Sequence, residues 1–268
     1  MKFKSIFFLF NIVVILSFAL IFLLPLILLS GSYSTVFWKD NWYLALIFLI
    51  LIAGLDGYFI INWNLFIYLE KEDWPNLTKY LEEKIYERGR FRRQYIRLMI
   101  NTALAVSNLD KIERLSREIS ERKPSLLPKY ALLLGIPPFL RDDSAASLMH
   151  YGEYKDIKNT ADRDWVKWAY AFSLIRDNNR EMAEAVLLEI LESKNDFVLR
   201  LLTLFSLNSI GHKSETADEE LSKYQDKFSD DRKWASYCDS LRGKNIFILL
   251  LTGLLDEARS WAKTPTAA

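Results

Sequence analysis

The chain has 268 residues, with 35 Lys and Arg, 34 Asp and Glu, two His and one Cys. Its net charge of +1 argues against general nucleic-acid binding, which requires many unpaired cations. A single Cys leaves no internal disulfide and no zinc site built from cysteines. The mean hydropathy is close to zero, at +0.02, yet long apolar runs lie in the first quarter of the chain.

Two apolar runs lie near the N-terminus. Residues 5–29 are uncharged, and residues 42–63 contain one charge, Asp56. A helix of about 20 apolar residues crosses a bilayer core of about 30 Å. The first run is too long for the apolar region of a signal peptide, and the second follows it after a short polar stretch. The sequence therefore predicts a transmembrane hairpin within residues 1–69, with spans at about 5–29 and 42–63 and a loop at residues 30–41.

Lys and Arg predict the orientation of this hairpin. Lys2 and Lys4 precede the first run, Lys39 lies in the loop, and seven cations follow between residues 71 and 93. Because cytoplasmic segments carry the excess of Lys and Arg, we expect a multi-pass protein of the inner (cytoplasmic) membrane with both termini in the cytoplasm. Across the first span the bias is weak, with two cations before it and one in the loop after it. The alternative is therefore a C-terminal part that faces outward.

Asp56 is the one ionisable residue within a predicted span. Such a residue is costly in lipid and usually faces protein or water. Its depth from the cytoplasmic end matches that of Asn11 in the first span, so we expect the two side chains to meet across the hairpin. Their contact would hold the hairpin together or recruit a partner helix. A proton or ion relay is the alternative, but a relay needs several ionisable groups and the predicted spans contain one.

From residue 70 onward, charges are frequent and apolar residues recur at helical spacing, which predicts an all-α domain over residues 70–268. The stretches 103–124, 165–196 and 241–263 have the layout of paired helices joined by a short turn. Small or apolar residues near the start of the second helices recur at steps of 34, 37, 34 and 41 residues: Ile112, Ala146, Ala183, Ala217 and Ala258.

This pattern resembles the tetratricopeptide (TPR) family, whose helix pairs repeat about every 34 residues. The resemblance implies an α-solenoid over roughly residues 75–263 that binds a protein partner on its concave surface, with Trp165, Trp168, Phe172 and Trp234 in the groove or the core. A non-repetitive helical bundle is the alternative. The layout also resembles the two-span, TPR-bearing inner-membrane proteins associated with bacterial haem biosynthesis, although no motif supports transfer of that pathway.

Patterns for catalysis and metal binding do not occur in the sequence. His150 and His212 are 62 residues apart, with no second ligand on the same helical face. Cys238 has no neighbouring base, and the carboxylate pairs at 142–143 and 230–231 are typical of helix caps. No phosphate-binding loop, dinucleotide fingerprint or nucleophile elbow is present. The sequence therefore predicts no enzymatic activity, no cofactor and no metal.

One charge cluster lies soon after the apolar runs. Its four cations fall within six residues: Arg88, Arg90, Arg92 and Arg93. Beside a membrane, such a cluster would attract anionic lipid headgroups at about 1 kcal/mol per cation. The alternative is a solvated turn balanced by Glu82, Glu83 and Glu87. Few other cations extend the cluster into a stripe suited to nucleic acid.

These features favour a membrane-anchored helical-repeat scaffold that binds and organises a protein partner at the inner membrane. The alternative is an accessory subunit of a membrane transport or enzyme complex, with Asp56 functional within the bilayer. We expect the lipid bilayer and an unidentified protein as partners, in a homo- or hetero-oligomer, and neither nucleic acid nor a metal.

Overall fold

The structure is a computed structural model that describes residues 3–28, 31–193, 196–212, 221, 229–242 and 246–263. These described residues form helices and turns without a strand, which confirms the predicted all-α class. The chain divides into two compact units, Met1–Glu87 and Arg88–Ala268, called the N-terminal and the C-terminal unit below. The sequence predicts a boundary between residues 69 and 70, but the helical segment at 74–87 packs on the helix before it and belongs to the N-terminal unit.

The N-terminal unit is helical throughout its described residues. Its elements are α1 Phe3–Leu28, α2 Gly31–Ile61, α3 Trp63–Glu70, α4 Trp74–Glu82 and a π-helix at Glu83–Glu87. The predicted loop at residues 30–41 is wrong from residue 31 onward, since α2 begins at Gly31. No Pro interrupts this segment, and a helix satisfies its backbone hydrogen bonds internally. At 31 residues, α2 is about 46 Å long.

One stretch of α2, Lys39–Ile61, is long and apolar enough to cross a membrane, judged by length and composition. Its large apolar side chains are well exposed, with Ile50 and Leu51 at 61% and 60%. The corresponding apolar stretch of α1, Ser5–Leu20, is shorter than a full span within the described residues. The structure therefore supports one candidate span and does not confirm the predicted pair.

The chain turns sharply between α3 and α4. Glu72 adopts a left-handed φ of 51°, and the Asp73 side chain caps α4 by accepting a backbone N–H at 3.3 Å. Pro75 lies in the first turn of α4, as the sequence predicts, where its missing N–H would be unpaired in any case. The Tyr68 and Tyr80 ring centroids are 6.3 Å apart. A straight helix would separate these residues by about 18 Å, so α4 folds back along α3.

The C-terminal unit consists, as far as it is described, of short helices that pair with their neighbours along the chain. Their bounds are α5 Arg93–Ala105, α6 Asp110–Arg122, α7 Leu127–Leu134, α8 Ile136–Leu140, α9 Ser144–Tyr154, α10 Arg163–Arg176, α11 Arg180–Glu192, α12 Phe197–Ser209, α13 Asp231–Arg242, α14 Ile246–Leu250 and α15 Thr252–Lys263. A 3-10 turn at Pro124–Leu126 precedes α7. α5 packs on α6, α9 on α10, α10 on α11, and α11 on α12.

One type of helix-ending turn recurs along the chain. A residue in the left-handed region closes the helix at Glu72, Ser107, Asp142, Asn178 and Gly211, which are 35, 35, 36 and 33 residues apart. At each turn, the N–H of the next residue donates to the carbonyl five residues before it, at 2.8–3.1 Å. This pair of features is the Schellman closure of a helix C-terminus. The chain thus repeats one structural device at nearly constant spacing.

The helix starts follow the same period. The first helices of successive pairs, α5, α7, α10 and α12, begin at residues 93, 127, 163 and 197, at steps of 34, 36 and 34. The second helices, α6, α9 and α11, begin at residues 110, 144 and 180. Three of the sequence markers, Ile112, Ala146 and Ala183, are the third or fourth residues of these second helices. Ala217 lies outside the described residues.

The core of the C-terminal unit centres on α10, which contacts α7, α9, α11 and α12. Trp168 is fully buried, and its ring stacks on Phe172 with centroids 5.1 Å apart. Arg176 ends the helix between two aromatic rings, with its guanidinium carbon 5.1 Å from the Phe139 centroid and 4.9 Å from that of Phe172. It also donates a hydrogen bond to the Phe139 carbonyl at 2.8 Å, which ties α10 to α8.

Candidate functional site

Aromatic pairs set the register between α1 and α2. Phe18 stacks on Phe48 with centroids 5.1 Å apart, and Phe7 meets Phe59 edge-on at 5.7 Å. Both contacts fit one antiparallel register, because eleven residues separate the two Phe on each helix. The two helices therefore pack side by side along their apolar length.

This register places Asn11 level with residue 55, so Asn11 and Asp56 lie at one level, each partly buried. The Asn11 Nδ2 donates to the Phe7 carbonyl of its own helix at 3.1 Å. The Oδ1 of Asp56 is buried and has no hydrogen-bond partner among the described residues. The packing therefore brings the two predicted residues to the same level, and no hydrogen bond joins their side chains in the described part of the chain.

The arginine cluster forms an exposed turn between the π-helix and α5. Arg88, Arg90, Arg92 and Arg93 all belong to the exposed class. Gly89 has a φ of 62°, a left-handed conformation that favours glycine. Arg92 and Arg93 are the N-cap and the first residue of α5. The structure therefore presents all four predicted cations to the surroundings.

The four residues predicted for a partner groove lie in or against the core. Trp165, Trp168 and Trp234 are 6%, 0% and 6% exposed. Phe172 is partly buried between Trp168 and Phe139. The groove interpretation is therefore corrected: these rings are packed inside the helix pairs, where a large apolar surface loses most contact with water.

A cleft of about 320 Å³ lies between α6, α8 and α9. Its lining combines charged, polar and apolar side chains: Glu113, Ser116, Arg117, Leu134, Pro138, Arg141, Asp143, Ala146 and His150. Sequence reasoning missed this cleft because its walls combine α6 with α8 and α9, which follow it only after α7, and the packing between them has no local signal. The one local signal is the spacing of Glu113 and Arg117, which puts both on one face of α6.

Most charges of the cleft are paired. Arg141 forms ion pairs with Asp110, at 2.6 Å, and with Glu113. The Asp143 side chain accepts a backbone N–H at 2.9 Å and so caps α9, as the sequence predicts. Arg117 is exposed and forms no ion pair with any described residue. The cleft therefore offers one cation without an ion pair to a described residue beside apolar walls, and a guanidinium in this setting can bind a carboxylate.

His150 closes the inner end of the cleft. Its Nε2 lies 2.8 Å from the Ala131 carbonyl and donates a hydrogen bond to it. Burial lowers the pKa of His150 below its ordinary value, although the bond to Ala131 and the charge of Glu153 oppose this shift. Gly135 lies against the same ring, which leaves no room for a side chain there. His150 therefore acts as a neutral donor that joins α9 to α7.

No group of three His, Cys, Asp or Glu side chains is placed to hold a metal ion within the described ranges. The Nδ1 of His212 lies 2.8 Å from a Glu184 carboxylate oxygen. Cys238 is buried in the core, which matches the sequence interpretation. The described residues offer a cleft with mixed walls, an exposed cationic turn and an apolar helix.

The described residues form an all-helical protein with one helix long and apolar enough to span a membrane. A family model described as "Uncharacterised Treponema protein" matches residues 111–264, more than half of the chain, and the chain belongs to this family. A protein of Treponema pallidum (strain Nichols), described as an uncharacterized protein, is 23% identical over 245 residues, which cover 81% of this chain and 73% of the relative. No solved structure matches the chain.

Proposed function

We propose that this chain is a membrane-anchored helical-repeat scaffold that binds and organises a protein partner at the membrane. The observation that carries the proposal is the recurrence of one helix-ending turn at steps of 33–36 residues. Stacked helix pairs of this length bury their apolar faces against each other and leave extended surfaces that bind proteins. In this proposal the chain performs no reaction and uses no cofactor or metal.

The repeat length supports a TPR-like arrangement, since TPR units have about 34 residues. Ile112 and Ala183 are fully buried near the starts of α6 and α11, where the two helices of a pair come close. The pair formed by α7, α8 and α9 departs from a simple unit. Its first helix is divided at Gly135, just before Pro137 and Pro138, which fix φ and donate no hydrogen bond.

In this proposal α1 and α2 form a membrane hairpin. α2 supplies the candidate span, and α1 is helical over Phe3–Leu28. Large apolar side chains of α1 face outward, with Ile15, Leu16 and Leu20 at 59%, 63% and 63% exposure, a surface that would be costly in water. The excess of Lys and Arg after α2 supports an inner-membrane protein with both termini in the cytoplasm.

Labelling with a membrane-impermeant thiol reagent tests this topology. Cys238→Ser removes the native thiol, and Asp40→Cys or Lys158→Cys then places a thiol at one exposed position. We expect Asp40→Cys to react from outside intact bacterial spheroplasts and Lys158→Cys to react only after permeabilisation. Reaction of both positions from the same side would contradict the hairpin.

We propose the cleft between α6, α8 and α9 as the partner site, because Arg117 is exposed there without an ion pair to a described residue. A photoreactive amino acid at position 117 tests this in cells, with position 180 as a matched control, since Arg180 is exposed and does not line the cleft. We expect a discrete cross-linked product from position 117 alone. Equal cross-linking at both positions, or none at 117, would contradict a docking role for the cleft.

A second function, the accessory subunit, is favoured by the buried Oδ1 of Asp56, which has no partner among the described residues. Within a bilayer this oxygen would gain by accepting a hydrogen bond from a partner helix. Asp56→Asn keeps a polar group of the same shape, whereas Asp56→Leu removes it. Loss of a native complex with Asp56→Leu but not with Asp56→Asn supports the subunit. An intact complex with both variants supports the scaffold.

A further inference from the structure

The segment Arg88–Arg93, called the arginine turn, is held in a defined shape. Residues 89–92 lie outside the helices, and along the chain the exposed Arg90 and Arg92 flank the partly buried Phe91. The Phe91 N–H donates to the Gly89 carbonyl at 3.3 Å and the Arg92 N–H donates to the Arg90 carbonyl at 2.9 Å, so the segment is folded into tight turns. The guanidinium of Arg122 lies over the Phe91 ring at 5.7 Å. Phe91 thus anchors the turn to the end of α6, while the two arginines face outward.

Two side chains of the arginine turn carry a charge without an ion pair to a described residue. The side chains of Arg90 and Arg92 form no ion pair with a described residue. Glu82, Glu83 and Glu87 precede the turn in sequence, but four cations follow against these three anions. An exposed arginine without a protein partner is free to bind an anionic group by several hydrogen bonds.

The N-terminal unit leads from α2 to this turn through α3, α4 and the π-helix. The Tyr68–Tyr80 contact sets the register between α3 and the returning α4. Because α4 folds back along α3, the chain does not run straight away from the end of the candidate span before it reaches Arg88.

We propose that the arginine turn binds the headgroups of anionic phospholipids at the face of the membrane from which α3 emerges. This inference rests on the proposed membrane hairpin. Phosphate groups accept the fork of donors that arginine presents, and each cation near an anionic surface strengthens the attraction roughly fivefold. The contact would orient the C-terminal unit on the bilayer and so determine which side of it a partner meets.

Hydrogen exchange of the full-length chain in lipid nanodiscs tests the proposal. One disc contains phosphatidylcholine alone, and the other contains about one third phosphatidylglycerol. We expect the amides of residues 88–93 to exchange at least fivefold more slowly in the anionic disc. The difference should disappear with Arg90→Gln/Arg92→Gln, and in about 1 M NaCl, where the screening length is about 3 Å. Equal exchange in the two discs would overturn the proposal.

A matched variant and a free anion complete the experiment. Arg163→Gln/Arg180→Gln removes two exposed arginines at the starts of α10 and α11, and it should keep the lipid-dependent slowing. Loss of the slowing in this control, or the same slowing by inorganic phosphate with neutral discs, would overturn a headgroup site. A chain that does not elute with the discs contradicts the hairpin itself. A chain that elutes with both discs but shows no lipid dependence contradicts the headgroup contact alone.

Discussion

Gly135 determines how closely α9 approaches the junction of α7 and α8. A Cβ at this position would lie 2.5 Å from the Tyr151 ring and 2.6 Å from the His150 Cδ2. Tyr151 is fully buried, so its ring has no open space into which it can move. We expect Gly135→Ala to lower the free energy of unfolding by about 1–3 kcal/mol, as overpacking does in other cores. Urea denaturation in detergent, followed by tryptophan fluorescence, measures this change.

Gly253 provides the matched control for this substitution. A Cβ at Gly253 in α15 would meet nothing within 4 Å. Because Ala favours a helix over Gly, we expect Gly253→Ala to leave the free energy of unfolding unchanged or to raise it by up to about 1 kcal/mol. A similar loss of stability in both variants would show that crowding at Gly135 is not the cause.

His150 predicts a dependence of stability on pH. Burial lowers its pKa in the folded chain, so the unfolded chain takes up the proton first as the pH falls below about 6.5. The free energy of unfolding therefore decreases with falling pH until the folded pKa is reached. We expect the wild type to lose stability relative to His150→Gln between about pH 7 and 5.5, measured by urea midpoints. Parallel pH profiles would contradict this linkage.

Residue types are easier to predict from the sequence than residue environments. Cys238 and three of the four groove candidates, Trp165, Trp168 and Trp234, lie in the core, since apolar side chains find most of their contacts there. The need for Gly at position 135 was not predictable. It depends on which face of α9 meets the junction of α7 and α8, and that packing is not encoded in any local pattern.

At the scale of the elements, non-glycine residues in the recurring turns predict a stabilising change. Ser107 is exposed and has a φ of 53°, where a Cβ costs about 1–2 kcal/mol. We expect Ser107→Gly to raise the free energy of unfolding by up to about 1 kcal/mol. Ser116→Gly, within α6, should instead lower it by about 0.5 kcal/mol. Urea denaturation of both variants measures the difference, and a loss in Ser107→Gly would contradict the argument.

Helix ends are predictable where their chemistry is local. Pro75 in a first turn and the capping carboxylates Asp143 and Asp230 lie where the sequence indicates. The predicted start of the second helix, near residue 42, is wrong, since α2 begins at Gly31. The small and polar residues after position 29 resemble a loop, although they are compatible with a helix. The turns at Glu72 and Ser107 carry no glycine, so their left-handed closure leaves no signal in the sequence.

At the scale of the whole molecule, composition separates two parts but does not locate their boundary. Residues 1–69 contain 5 of the 69 charged groups, a contrast that predicts an apolar part followed by a polar helical part. The structure places the division after Glu87 because α4 packs on α3, and α4 is as rich in polar residues as the helices that follow. Packing therefore decides the boundary where composition is uniform.

The proposed hairpin predicts that charges in α2 will disrupt membrane insertion. Ile47 and Ile50 are 51% and 61% exposed near the middle of the candidate span, and each arginine there costs about 2.5–3.5 kcal/mol. We expect Ile47→Arg/Ile50→Arg to reduce the fraction that resists carbonate extraction. If α1 alone keeps the double variant in the membrane, α2 no longer crosses the bilayer. A thiol at Lys158→Cys, in the Cys238→Ser background, should then react with the impermeant reagent from outside. Met149→Arg, at a position 75% exposed in α9, should change neither measurement. A double variant that behaves like the wild type in both would show that α2 does not span the membrane.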